Sequence, residues 1–362
     1  MRPTKPTRQF LRNKVHGQAA FGRMIAGPSC VSKAFRSRYD IRESESSGVM
    51  VHLVIGSNFS SARSCSLVED VNFRLPDIVR LAWVSEEARS AHQPQIERVR
   101  KAWNRMEWHS ILSDIRPCAC IVTSPNSISL LTDEVSAQGL ELYPLRVVEF
   151  TAKQRNDSSV LIDAVIGRRR DAQLFVKAWK RRDTEEMGRL LGYPRCCREF
   201  YRTVFELKGL IDQTWPSAMN TSAAKHEDRV IRIPGIPWGN CLLRTIGLNA
   251  VLHLPCSFDC AASLELGVRF SELMCADGYA EEVTYLREAL QWPAEWSGLH
   301  GIAEIRTPVV KICTRTDSTA QKLVVQWLGS QYPREGARGL TYPFIVRHPD
   351  SDSEKLVAIR PK

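Results

Sequence analysis

Apolar and polar positions change period along the chain. Met50–Ile55 (MVHLVI) is a short apolar, β-branched run and predicts a strand. From Ser85 to Asp114, charged residues alternate with apolar anchors near Val99, Trp103 and Met106, the spacing of an amphipathic helix. Cys118–Thr123, Leu142–Thr151 and Val160–Ile166 have strand character. A turn is expected at Ser124-Pro125-Asn126, and Gly167 closes the last run. Strands alternating with helical stretches predict a small α/β domain over residues 46–168.

Beyond Asp171 the period becomes helical. Leu174, Phe175, Ala178 and Trp179 share one face, Asp183-Thr184-Glu185-Glu186 has the form of a capping box, and Gly192 is a stop. Residues 222–240 are rich in charge, Pro and Gly and predict a long loop of the kind that often carries function. Leu248–Leu254 is an apolar run expected to be buried. Short β-like runs follow at Ile302–Ile305, Val309–Ile312, Leu323–Trp327, Tyr342–Val346 and Leu356–Ile359. The expected class is α/β or α+β. A basic extension (1–45) precedes the α/β domain (46–168). A mainly helical domain carrying the cysteine motifs (169–300) and a β-rich C-terminal segment (301–362) follow.

Composition narrows the function classes. The 362 residues are 43% hydrophobic and 25% charged, the profile of a folded globular chain. The longest stretch without Asp, Glu, Lys or Arg, Ser46–Ala62, has 17 residues and is broken by Ser, Gly, His and Asn, so no membrane span is expected. Fifty Lys and Arg against forty Asp and Glu give a net charge of +10. Ten of those bases and one acid lie in residues 1–42, so the body is close to neutral. A dedicated nucleic-acid face is therefore not expected on the body, and the tail alone would bind polyanions weakly and non-specifically. Its Arg/Ser/Ala-rich, acid-poor character fits a disordered extension, a transit peptide, a nucleic-acid arm, or a start upstream of a true first residue at Met24 or Met50. Eleven cysteines, an odd number, with no secretory signal argue for a reducing, cytoplasmic setting and against a disulfide framework.

Chemistry concentrates in two segments of similar design, Leu191–Tyr201 (LGYPRCCREFY) and His253–Ser263 (HLPCSFDCAAS). In each, proline is followed within two residues by cysteine and then by an amphipathic stretch. Proline favours a helix's first turn. The positive end of a helix favours thiolate, the form that binds metal or attacks. The expectation is that both segments start helices and that Cys256 and Cys260 lie one turn apart on one face. By helical phase with Phe200, Tyr201 and Val204, Cys197 ranks above Cys196 as a ligand.

The reading is a thiolate-bound metal centre with Cys197, Cys256 and Cys260 as core ligands and Cys196 or His253 as a fourth. An iron–sulphur cluster comes first and zinc second. The competing readings are buried thiols without metal, and a thiol enzyme with Cys196, Cys197 or Cys256 as nucleophile.

These two motifs resemble the signature pair of an uncharacterised prokaryotic family, a domain of unknown function (number 483), over roughly residues 160–310. The resemblance implies that Cys196, Cys197, His253, Cys256 and Cys260 form one site and implies no particular reaction.

Secondary candidates surround the motifs. Asp259 and His253 are candidate catalytic groups, Asp259 for proton transfer or for orienting a substrate amine. Ser263 is placed to bond a sulphur or the backbone, the backbone being favoured. Trp238, Asn240, Arg244 and Asn249 are candidate substrate contacts. Cys118-Ala119-Cys120 offers a second thiol pair on one strand face. Together these give a metalloenzyme performing redox or sulphur chemistry on a small molecule, with a place in specialised-metabolite biosynthesis. The alternative is a structural-zinc binding module that contacts nucleic acid through its tail.

Overall fold

The computed structural model of the chain describes residues 80–151 and 158–333. The expected strands at 50–55, 342–346 and 356–359 and the basic extension lie outside the described residues.

Among the described residues the first strand, β1 (Arg80–Trp83), leads into α1 (Glu86–Leu112). Ser85 caps α1 by accepting a hydrogen bond from the Ala88 N–H, and Glu86 and Glu87 complement the helix dipole. Its buried stripe includes Ala88, Ile96, Val99, Trp103 and Met106. That stripe faces β2 (Cys118–Thr123) and two later helices, α7 (Ala261–Ala276) and α8 (Ala280–Ala289). Arg98 ties α1 to α8 through Glu281 and Glu282 at 2.6 and 2.8 Å.

After β2 come α2 (Pro125–Ser136), β3 (Glu141–Thr151) and β4 (Ser158–Gly167). The expected turn at 124–126 is instead the start of α2. Pro125 occupies its first turn, where a missing N–H leaves no bond unmade. The sheet has the order β2-β4-β3 and is antiparallel throughout, with an irregularity between Pro144 and Arg146. The α/β expectation for this region is corrected here, since parallel β-α-β crossovers do not build this sheet, and the class observed is α+β.

Next come α3 (Arg169–Arg181), α4 (Thr184–Leu190), α5 (Arg195–Tyr201) with a π-helical continuation at Arg202–Leu207, and α6 (Thr214–Met219). The capping box is present, because Asp183 accepts from the Glu186 N–H. Gly192 ends α4 at φ +73°. A Cβ there would lie 2.7 Å from the Cβ of Arg116, so glycine satisfies both conformation and space.

The stretch 222–240, expected as a loop, is partly a hairpin. β5 (Lys225–Glu227) and β6 (Val230–Pro234) form one end of a seven-stranded sheet. Its other members are β1, β7 (Ala294–Leu299), β8 (Ile302–Arg306), β9 (Val310–Arg315) and β10 (Leu323–Leu328), of which β8, β9 and β10 correspond to three of the apolar runs read near the C-terminus. The order is β1-β9-β8-β7-β10-β6-β5, and β6–β10 is its parallel pair. This sheet takes strands from all three segments between 46 and 362. One large core joins α1, α7, α8 and the seven-stranded sheet, and includes Trp103, Phe270, Trp292 and Trp327. Leu248–Leu252 is buried in it, as its apolar run implies. Among the described residues, no helix is long and apolar enough to cross a membrane.

Candidate metal centre

The first motif folds as its sequence dictates. Pro194 precedes α5, and Cys196 and Cys197 occupy its first turn. Cys197 is buried and Cys196 is exposed. Helix phase explains the difference, since Cys197 falls on the side of Tyr201 and Val204, which belong to a small apolar cluster with Phe205 and Leu254.

The second motif does not start a helix at its proline. Cys256 lies in an irregular run, and α7 begins only after Cys260, which is its N-cap residue. The expected pairing of Cys256 and Cys260 along one helical face is therefore corrected. Local polar bonds hold this run out of the helix. The Ser257 hydroxyl donates to Asp259 Oδ1 at 2.7 Å, a side-chain bond of the kind that competes with helical pairing. The neighbouring segment supplies the rest. Gln213 and Ser217 donate to the Pro255 carbonyl, Asn220 to the Cys256 carbonyl, and the Phe258 N–H donates to the Thr221 hydroxyl.

The two segments meet at their sulphurs. The Cys196–Cys197 Sγ separation is 3.9 Å, and Cys260 Sγ lies 3.7 Å from each of them. The Cys256 N–H donates to Cys197 Sγ at 3.4 Å. All four Sγ atoms, including that of Cys256, lie within 4.8 Å of one another. Among the described residues, this is the one group of three or more His, Cys, Asp or Glu ligand atoms gathered closely enough for a metal ion. A tetrahedral ion with metal–sulphur bonds of about 2.3 Å requires sulphurs about 3.8 Å apart. The donor set and its spacing thus fit a single thiolate-bound ion.

The proton inventory of the cluster is uneven. Hydrogen bonds from the Cys197 and Cys256 thiols hold Cys260 as thiolate, far below the usual thiol range, with Ser263 adding to the effect. Cys197 is driven upward by sharing its proton with Cys256 and Cys260 and by burial. At Cys256 the bond from Cys197 works downward. Donation to Cys260 and burial outweigh it and push the thiol up to about 12. Three sulphurs thus share one negative charge, and a cation entering the group must displace protons from Cys197 and Cys256.

His253 stands outside the sulphur group. Its Nε2 is 2.7 Å from the Ser263 hydroxyl oxygen, which lies 3.3 Å from Cys197 Sγ. The expected metal ligand is thus one hydrogen-bonded step from the sulphurs, and Ser263 contacts a sulphur rather than only the backbone. Burial lowers the pKa of His253 to about 4, so its ring is neutral near pH 7. Its other ring nitrogen is buried without a partner, and the ring packs against Tyr193 with centroids 5.2 Å apart.

Asp259 is committed to the fold. Oδ2 accepts from the Ser222 N–H, the Ser222 hydroxyl and the Ala223 N–H, while Oδ1 accepts from Ser257. Burial alone would raise its pKa, but the bonds from Ser222 and Ser257 prevail and lower it. It pins the second motif to the chain at 222–223, and a proton-transfer role finds no geometry here.

A cleft of about 430 Å³ opens beside the centre, with Cys197, His253, Tyr193, Arg182, Arg198 and Arg202 among its walls. Trp238, Asn240, Arg244 and Asn249, the expected substrate contacts, do not line it. Trp238 packs on the main core. Asn240 bonds the Leu290 carbonyl and the Leu242 N–H, Arg244 bonds the Cys241 carbonyl, and Asn249 bonds the Val251 carbonyl. The cleft cations come from the end of α3 and from α5 and its continuation; Arg198 falls within the first cysteine motif, whereas Arg182 and Arg202 lie outside it among plentiful charged residues. Cys118 and Cys120 are both buried on β2, and burial pushes Cys118 up to about 12.

Comparison with protein-family models, curated proteins and solved structures gives no match for this chain.

Proposed function

We propose that Cys196, Cys197, Cys256 and Cys260 bind one metal ion, and that the protein is a metal-dependent enzyme acting on a small molecule held in the adjoining cleft. The observation that carries this reading is the meeting of four sulphurs from two separate segments, one of whose residues, Cys197, lines a cleft that also contains the neutral His253. Redox or sulphur chemistry is the reaction class that a thiolate-bound iron or copper ion would supply there. The protein's own part is plain from its bonds. Ser263 and the Cys256 N–H hold Cys197 in place, and Tyr193 packs against His253 at the cleft. The likeness of the two motifs to the uncharacterised family is in keeping with a single shared site.

The sulphur spacing speaks for a single ion over an iron–sulphur cluster. In a cluster the four thiolates are shared among two or four irons, so they do not all stand one tetrahedral edge apart. The second reading is a structural zinc site, favoured by the same spacing and by the knitting of two segments into one body. Metal and acid-labile sulphide are to be measured on protein purified without oxygen. One ion per chain without sulphide is the expected result, and sulphide in proportion to iron would restore the cluster. Stripping the ion separates the two readings. Loss of the folded state marks a structural zinc, whereas a retained fold marks an ion that the fold does not need, as the enzyme reading expects.

A further inference from the structure

The charges along the cleft are not evenly spent. Asp183 caps α4 through the Glu186 N–H. Glu185 is paired with Arg198 at 2.8 Å, and Arg198 also donates to the Tyr193 carbonyl. Glu206 accepts a hydrogen bond from the Thr184 hydroxyl. Two guanidinium groups are left, on Arg182 and Arg202. Both are exposed, both line the cleft, and neither has an ion-pair partner among the described residues. Charges not already in ion pairs or caps therefore run two positive to one negative.

The backbone beneath each arginine is unusual. Arg182 ends α3 in the left-handed region, at φ 61° and ψ 35°, a place where glycine is the common choice. A long cationic side chain is kept there in spite of that preference. Arg202 begins the π-helical turn that follows α5, a kind of irregularity frequent at functional sites. The two turns set both arginines on the cleft that Cys197 and His253 also line.

We infer that this cleft binds an anionic group, a carboxylate or a phosphate, carried by the small molecule and held by Arg182 and Arg202. Guanidinium is suited to either oxyanion because its fork of N–H donors matches two oxygens at once. The inference rests on reading the cleft as the substrate chamber of the cysteine centre, and it deepens that reading by naming the substrate's charge. A cationic or wholly apolar molecule would meet two unpaired cations and is excluded from the class.

Thermal unfolding of the metal-loaded protein in inorganic phosphate or malonate, at ionic strength held constant with sodium chloride, tests the inference. A ligand that binds the folded state raises the midpoint. A rise of about 2–4 °C near saturation is expected for at least one anion, and the anion that gives it identifies the group. The Arg182→Gln/Arg202→Gln double variant loses most of this rise. Arg195→Gln keeps it, because Arg195 lies outside the cleft and pairs with Glu199. No rise with either anion, or an equal rise in the double variant, overturns the inference. Metal content measured on the same samples keeps the outcomes apart. A rise without bound metal retains the anion site and rejects the metal centre, whereas bound metal without a rise does the reverse.

Discussion

At Ser263 a single hydroxyl joins a buried neutral imidazole to a sulphur. Groups that bond to metal ligands orient them and tune their basicity, and losing one costs about 10–100-fold in metal affinity. Ser263→Ala is therefore expected to weaken metal binding by about that factor in competition with a chromophoric chelator. An affinity equal to that of the unaltered protein would show that the hydroxyl serves only to fill space. Much of this scale was legible in the sequence. Two proline-led cysteine pairs marked the sulphurs, and the phase of α5 separated buried Cys197 from exposed Cys196. A sulphur was one of two partners legible for Ser263, but the backbone was favoured, because the sulphur it meets belongs to the other segment. The role of Asp259 was not legible, because its partners lie at 222–223, far from it in the chain.

The elements carry the site through close approach. Gly239, in a short 3₁₀ turn (Pro237–Gly239), sits against the second motif, and a Cβ placed there would lie 1.8 Å from the Phe258 carbonyl oxygen. Backbone cannot yield as a flexible side chain can, so Gly239→Ala must displace the run that presents Cys256 and Cys260. A stability loss of about 2 kcal/mol or more is expected by urea unfolding, with metal affinity falling in the same variant. An unchanged midpoint would mean that the turn moves freely. Strands and long helices followed from periodicity, as α1, β2 and β8–β10 illustrate. Two errors share a physical origin. The spacing of Cys256 and Cys260 matches a helical turn, yet hydrogen bonds donated by Gln213 and Ser217 and accepted by Thr221 hold that run open. The polar stretch at 225–234 forms strands because β10 supplies a parallel partner that local pattern does not show.

At the scale of the whole molecule, the core encloses an ionisable pair. Glu107 and Arg116 are both buried, and each leaves one polar atom without a partner. Arg116 donates to Ser110 and to the Glu107 carbonyl, and its guanidinium lies 5.6 Å from the Phe270 ring centre. Burial, partly offset by Arg116, raises the Glu107 pKa to about 8. An acid whose folded pKa exceeds its unfolded value keeps its proton longer when folded. Its contribution is complete below the unfolded pKa, near 4.5, and is lost as pH rises to about 8. Raising the pH from 6 to 8 is expected to cost on the order of 2 kcal/mol through this group. Glu107→Gln, which mimics the protonated form, should remove that part of the slope in urea titrations at the two pH values. An identical slope in both proteins would place the ionisation elsewhere.

The pairing of β1 with β9 sets an order of assembly. Arg80 lies opposite Cys313, so β1 can be seated only after β9 has been made. Both cysteine segments emerge from the ribosome in the interval between them. A nascent chain stopped just short of Val310 already owns all four sulphurs, while β1 still waits for a neighbour. Long-range pairings of this sort are slow to form, so ion capture can precede closure of the large sheet during synthesis.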